Sequence, residues 1–190
     1  MRKQPMRRLT AILKLRAFWV GTAVFAGGVV FAGAGSEFMH QTNTNEFCVS
    51  CHSMSTVNEE YMASIHFRNA AGVQATCADC HVPEPLGPLL AAKVIASKDV
   101  YHEIAGTIDT REKFEARRWK LANVVWDKME ATNSRECRTC HGFEHMDHKA
   151  QGRKVARRHT RAVESGKTCI NCHKGVAHVE PLPPEDVALR

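Results

Sequence analysis

The chain has 190 residues, a length that allows one or two small domains. Its formal net charge of +6 comes from 26 Lys and Arg against 20 Asp and Glu. Six of the basic residues precede Glu37, the first acidic residue, and the other 20 balance the 20 acidic ones. A nucleic-acid-binding domain would carry its excess of basic residues on a folded face, so this distribution argues against that class.

The first predicted element is a membrane helix. Residues Ala17 to Ser36 carry no charge, and twenty helical residues span about 30 Å, the thickness of the hydrocarbon core. The preceding basic tail, residues 1–16, predicts a cytoplasmic flank and an exported remainder, residues 37–190. A cleaved signal peptide is the alternative, because Ala32-Gly33-Ala34 resembles a cleavage site. The apolar run exceeds the roughly 7–15 residues of a signal peptide, which favours a retained anchor.

All eight cysteines lie in four copies of a C-x-x-C-H motif. The copies are Cys48 to His52, Cys77 to His81, Cys137 to His141 and Cys169 to His173. This motif is the attachment signature of c-type haem, in which the histidine is the proximal iron ligand. Zinc sites, redox-active thiol pairs and structural disulfides are the alternatives, but none needs a histidine after every second cysteine. We therefore expect four covalently bound haems, which would also fill an interior that the polypeptide alone fills poorly.

Seven further histidines are available as second axial ligands. They are His40, His66, His102, His145, His148, His159 and His178. This surplus predicts bis-histidine haems, in which the iron has six ligands and is closed to substrate. Such irons transfer electrons and have little other chemistry.

The motifs form two pairs separated by a longer stretch. His52 and His81 are 29 residues apart, His141 and His173 are 32 apart, and 60 residues separate the pairs. This spacing predicts a duplicated dihaem unit with halves of about 37–105 and 106–190. The intervening stretch predicts helices over Pro88 to Glu103 and Arg111 to Ala131, the second capped by Asp109-Thr110. The predicted fold is mainly α, a single transmembrane helix followed by a small, loop-rich multihaem cytochrome c domain.

Several segments resemble the NapC/NirT family of tetrahaem quinol dehydrogenases. They are N-T-N-E-F-C-V-S-C-H-S-M (43–54), S-I-H (64–66), A-S-K-D-V-Y (96–101), I-D-T-R-E-K-F-E-A (108–116), R-E-C-R-T-C-H (135–141) and T-C-I-N-C-H-K-G-V-A-H (168–178). The resemblance, of the NapC-like type, implies a protein of the bacterial inner membrane with its haem domain in the periplasm. It implies oxidation of quinol and electron transfer to a periplasmic reductase, with nitrate reductase the first expectation.

The resemblance also implies individual ligands. It pairs His159 with His81 at the second haem, His178 with His141 at the third, and His66 with His173 at the fourth. For the first haem it implies Met54 as a ligand, with His52 as the alternative.

The quinol site implied by the resemblance lies on the predicted helix from Pro88 to Glu103, which follows the second motif. Asp99 matches an acidic residue beside the first haem, and Lys93 matches a lysine near bound quinol. Helical spacing puts both near one stripe, where they could exchange protons with quinol.

Two other functions compete with quinol oxidation. A multihaem reductase of nitrite or hydroxylamine would need an open iron that faces water. A soluble electron shuttle would arise if the chain were cleaved after Ala34. The residues leave open the choice between menaquinol and ubiquinol and the oligomeric state, a homo-oligomer included.

Overall fold

A computed structural model describes the backbone of residues 4–184 and the side chains of residues 12–184. Predictions that fall on residues 1–3 and 185–190 lie outside this range. The described residues are mainly helical and contain no strand, which confirms the predicted fold class. The chain divides into two compact units, residues 1–42 and residues 43–190.

The first unit is one helix, α1, from Gln4 to Gln41. Its part from Ile12 to Gln41 contains an 18-residue stretch with a mean hydropathy of 1.7 and is long enough to cross a membrane. The helix continues five residues past the predicted end at Ser36, because Glu37 to Gln41 keep helical hydrogen bonding at the polar end. A retained anchor and a signal sequence share these properties.

The described part of the second unit contains seven further α-helices and two short 3₁₀ turns. The longer helices are α3 (Met54–Met62), α5 (Leu86–Ile104), α6 (Arg111–Ala131) and α8 (Arg153–Glu164). The single-turn helices are α2 (Asn45–Cys48), α4 (Cys77–His81) and α7 (Arg135–Arg138), and the 3₁₀ turns are Phe143–His145 and Cys169–Asn171.

Local capping explains the two central helices. Helix α6 has the predicted bounds, and the Thr110 side chain accepts a hydrogen bond from the Lys113 amide. Helix α5 begins two residues earlier than predicted, with Pro85 as its N-cap and Pro88 in its first turn. Proline is tolerated there because the amides of the first turn have no partner within the helix.

The polypeptide builds a very small apolar core. Among the described residues, the buried apolar side chains are those of Tyr61, Pro83, Phe114 and Ile170. Many large apolar side chains of the second unit are exposed when the polypeptide is considered alone. Ile65, Val94 and Ile104 are among them. A domain of this length normally buries most of its apolar surface, so the packing suits a prosthetic group as the missing part of the interior.

Candidate haem-ligating site

Three of the four C-x-x-C-H motifs form one tight helical turn, in α4 and at Cys137 to His141 and Cys169 to His173, while the first begins at the last residue of α2 and continues as a non-helical turn. In the second motif, the Thr76 hydroxyl accepts from the Asp79 amide, and the Asp79 carboxylate accepts from the Thr76 amide at 2.6 Å. Thr168 and Asn171 form the corresponding capping box in the fourth motif. Such a turn places cysteines three residues apart on one side, as two attachment points on a single haem require.

Neighbouring motifs are packed against each other in a series. Helix α2 packs against α4, and the Cys77 amide donates to Oδ1 of Asn45 at 2.9 Å, which joins the first motif to the second. Helix α4 packs against α7, which joins the second motif to the third. The buried Ser134 hydroxyl accepts from the Ile170 amide at 3.1 Å, which joins the third motif to the fourth. The four motifs therefore follow one another in space in the order of the sequence.

Three pairs of imidazole rings face each other across gaps of similar width. The ring centres are 6.3 Å apart for His66 and His141, 6.2 Å for His81 and His178, and 6.1 Å for His159 and His173. Each pair joins one motif histidine to one isolated histidine. Among the described residues, no three His, Cys, Asp or Glu side chains converge as ligands of a single bare ion.

The spacing of these pairs fits iron between the two rings. With metal–nitrogen bonds of about 2.0 Å, the ring centres of opposed imidazoles lie about 6.3 Å apart. Partial burial lowers the pKa of His178, so its ring is neutral near pH 7, as metal ligation requires.

The three isolated histidines are oriented by hydrogen bonds at Nδ1. The Nδ1 atom of His66 lies 3.2 Å from the carbonyl oxygen of Val176, and that of His178 lies 3.1 Å from the carbonyl oxygen of Val57. Nδ1 of His159 lies 2.7 Å from Oε1 of Gln151. An acceptor at Nδ1 fixes the proton there and leaves Nε2 free to bind metal.

The facing pairs differ from the predicted ones. The prediction paired His159 with His81, His178 with His141 and His66 with His173, whereas each of these isolated rings faces a different motif histidine. Family offsets along the chain do not report where the C-terminal segment folds back. The C-terminal segment returns to helix α3, which places His178 opposite His81. His141 then lies opposite His66.

A partly buried ion pair holds that C-terminal segment. Arg118 of α6 donates to the Glu60 carboxylate of α3 and, at 2.8 Å, to the carbonyl oxygen of Val179. The Val179 amide in turn donates to Glu60 at 2.9 Å. Burial raises the pKa of Glu60, but the bonds from Arg118 and Val179 outweigh it and hold the pKa below its ordinary value. His178 directly precedes Val179 in the chain, so Arg118 and Glu60 also position His178.

Loss of this ion pair should release His178. The Arg118→Met variant leaves the Glu60 carboxylate partly buried without its cation, a change that costs on the order of 3 kcal/mol. We expect a lower thermal midpoint and a new fraction of high-spin iron in the visible spectrum. Arg117→Met is the control, because Arg117 is exposed and donates only to the Thr107 carbonyl among the described residues. Equal spectra for the two variants would contradict this role of Arg118.

The first motif has no facing histidine of this kind among the described residues. Its His52 is exposed, while Met54 is half-buried at the start of α3. The amides of His52 and Ser53 both donate to Oε1 of Glu103, at 2.8 and 3.3 Å. The other carboxylate oxygen of Glu103 is buried without a hydrogen-bond partner. Glu103, which the sequence did not point to, therefore fixes the first motif against the end of α5.

The predicted quinol residues both lie on helix α5 but point in different directions. Six residues separate Lys93 from Asp99, which sets their side chains about 120° apart around the helix axis. The single stripe expected from the sequence is therefore wrong. Asp99 is exposed and precedes Glu103 by one turn, on the side of α5 that meets the first motif.

Lys93 has a partly buried position close to the same motif. Its ammonium group donates to Oδ1 of Asn43, and Asn43 is followed two residues later by α2, which carries Cys48. Partial burial lowers the pKa of Lys93. Lys93 and Asp99 therefore approach the first motif from two sides of α5.

Comparisons with known proteins match the chain to one cytochrome family over most of its length. The model of the NapC/NirT cytochrome c family, N-terminal region, matches residues 11–183. A tetraheme cytochrome-c type protein of Allochromatium vinosum is 58% identical over 165 residues, which cover 87% of this chain and 90% of the relative. The cytochrome c-type protein NapC of Escherichia coli is 51% identical over 158 residues, 83% of this chain and 79% of the relative.

A third relative is named for denitrification. The denitrification system component NirT of Stutzerimonas stutzeri is 48% identical over 155 residues, 81% of this chain and 77% of the relative. No solved structure matches the chain. The family match spans most of the chain and all four motifs, so the protein belongs to the NapC/NirT cytochrome c family and carries covalently bound haem c.

Proposed function

We propose that this protein is a membrane-anchored tetrahaem cytochrome that oxidises quinol and passes electrons to a periplasmic reductase. The observation that carries the proposal is the contrast between the motifs. Three motif histidines face a second histidine at 6.1 to 6.3 Å, while the first motif has no such partner among the described residues and is bound by Glu103 of α5, the helix that carries Lys93 and Asp99. Three sites are thus arranged for electron transfer alone, and one for contact with substrate.

The proposal assigns a role to each motif residue. The eight cysteines hold the four haems covalently: Cys48, Cys51, Cys77, Cys80, Cys137, Cys140, Cys169 and Cys172. The axial pairs are His81 with His178 at the second haem, His141 with His66 at the third, and His173 with His159 at the fourth. At the first haem, Met54 is the ligand that we propose, with His52 as the alternative. When bound, the haem irons accept and donate single electrons.

Residues of α5 handle the protons and the head group of quinol. Oxidation of a quinol releases two protons with its two electrons, so a proton acceptor must lie near the ring. The exposed Asp99 carboxylate is suited to accept a proton, and the Lys93 ammonium is suited to hold a quinol oxygen. Cys48 follows the end of α1 by seven residues in the sequence.

The reductase that we propose as acceptor is a periplasmic nitrate reductase complex. The support is the similarity to NapC, although the similarity to NirT, which is named for denitrification, is nearly as strong. A multihaem reductase of nitrite or hydroxylamine is the weaker candidate. It needs an iron open to water, and three of the four sites have two facing imidazoles.

Anaerobic reduction by quinol analogues tests this function. The detergent-purified holoprotein, oxidised beforehand, is mixed with menadiol or with a short-chain ubiquinol in a stopped-flow spectrometer. We expect at least one of the two to reduce the haems, seen as growth of the reduced α-band. The control is dithionite, which reduces all haems by a route that needs no quinol site. Reduction by dithionite but by neither quinol would reject the proposal.

A further inference from the structure

Helix α8 presents a strongly basic face. Five of its twelve residues are basic, and Glu164 is its only acidic residue. The basic residues are Arg153, Lys154, Arg157, Arg158 and Arg161, and all of them are exposed. None forms an ion pair with a carboxylate among the described residues. Because basic and acidic residues nearly balance from Glu37 onward, this face is a local concentration of positive charge.

The same helix supplies a haem ligand from its opposite face. At about 100° per residue, the side chains of Arg157 and Arg161 point about 160° away from His159. The residues next to His159 on its own face, Ala156 and Ala162, are half-buried. His159 faces His173, so the basic face is separated from the fourth haem site by the thickness of one helix.

The fourth site is also the last of the series. Contacts join the first motif to the second, the second to the third and the third to the fourth. Under the proposed function, electrons enter at the first motif, and an acceptor that takes them must approach the other end. The α8 face covers that end, and its charge selects what can dock there.

We propose that the basic face of α8 is the docking surface for the electron acceptor, and that this acceptor is a protein with an acidic patch beside its own redox centre. The inference rests on the proposed function, because it names where electrons leave. One electron passes from the reduced fourth haem to the oxidised centre of the acceptor, with no bond formed or broken and no proton moved. Complementary charge would speed the encounter and orient the two centres.

A lipid surface is the other occupant that a basic helix face can bind. Two observations favour a protein. The chain already has a helix long enough to cross a membrane, and lipid over α8 would cover the end of the series where electrons must leave. The face is also backed by a haem ligand, which a purely lipid-binding helix does not require.

Electron transfer to two protein probes of opposite charge tests the proposal. Dithionite-reduced holoprotein is mixed with oxidised plastocyanin, which is acidic, or with oxidised mitochondrial-type cytochrome c, which is basic. We expect plastocyanin to react faster and its rate to fall as salt rises from about 0.02 M to about 0.5 M, across the range where the Debye length shortens from ~20 Å to ~4 Å. The Arg157→Glu/Arg161→Glu variant should lose about tenfold in rate at low salt and little at high salt.

A matched variant controls for net charge. Arg68→Glu/Lys120→Glu changes the charge by the same amount at two other exposed positions, and it should keep the wild-type rate within about twofold, since surface changes elsewhere have small effects. Affinity for immobilised oxidised plastocyanin, measured by surface plasmon resonance, should fall only in the α8 variant. This second readout does not depend on electron transfer.

Three results would overturn the proposal. The first is that plastocyanin reacts with the α8 variant at the wild-type rate. The second is that the control variant loses as much rate as the α8 variant. The third is that the wild-type protein reacts more slowly with plastocyanin in anionic lipid discs than in neutral ones. The last result would identify α8 as lipid-binding. Quinol reduction is measured separately on the same proteins. Its failure would reject the proposed function and leave the charge effect at α8 unaffected.

Discussion

Replacing His66 by alanine should abolish the most anisotropic low-spin signal in the electron paramagnetic resonance spectrum and create a high-spin signal. The planes of His66 and His141 are 79° apart, whereas the other two pairs are 36° and 38° apart. Nearly perpendicular imidazoles leave two iron d orbitals close in energy, which gives a large maximal g value. Imidazoles closer to parallel separate those orbitals and give rhombic signals. Ligand orientation thus labels one haem among three of the same composition.

The other ligand variants make this assignment specific. His178→Ala and His159→Ala should each remove a rhombic signal, leave the anisotropic one and also create high-spin iron. His102→Ala is the control, because this ring hydrogen-bonds to Thr107 and faces no motif histidine among the described residues. If His178→Ala removed the anisotropic signal instead, the pairing of His178 with His141 expected from the sequence would be right and the pairing seen here would be wrong.

Two of these ligand pairs also connect distant parts of the chain. His66 and His141 are 75 residues apart, and His81 and His178 are 97 apart, so each iron closes a long loop between the two predicted halves. Metal binding of this kind contributes directly to folding free energy. His66→Met is therefore the second variant if His66→Ala does not accumulate, because methionine can ligate haem iron and retain the connection. It should keep low-spin iron but change the signal and raise the reduction potential.

Local signals made much of the fold predictable. The bounds of α6 follow from the threonine cap and the apolar spacing that the sequence displays, and both act within a few residues. The motifs are equally local, since each needs only five consecutive residues. Helix α5 begins two residues before its predicted start. The reason is that its cap is Pro85, and proline lacks the side-chain acceptor by which caps are usually recognised.

Long-range contacts explain what the sequence did not reveal. The six histidines of the facing pairs were identified, but their partners depend on the return of the C-terminal segment to α3. That return depends on Arg118 and Glu60, which are 58 residues apart. Glu103 likewise binds the first motif across 51 residues. Neither contact has a signature in residue type or spacing, since Glu and Arg are also the most common residues on exposed helix faces.

Changes at Asp99 and Lys93 should separate quinol oxidation from haem binding. Asp99→Asn removes the proposed proton acceptor, and Lys93→Met removes the proposed cation while keeping a side chain of similar length. Removal of a proton-transfer group typically slows a reaction by about 10²-fold or more. We expect losses of this size in reduction by menadiol or ubiquinol, with four haems bound and normal reduction by dithionite. The measurement is stopped-flow reduction, together with a haem assay by pyridine haemochrome.

The structure gives the two residues different consequences. Asp99 is exposed and lies one turn before Glu103, so its loss should leave the first motif in place and affect only the proton step. Lys93 also donates to Asn43, so its loss can shift the chain before Cys48 and change the affinity for quinol. Lys98→Met is the matched control, because Lys98 is an exposed lysine on the same helix. If both Asp99→Asn and Lys93→Met were reduced by quinol at the wild-type rate, quinol would bind elsewhere. If Lys98→Met lost as much of the quinol rate as these two variants, the effect would be one of general surface charge.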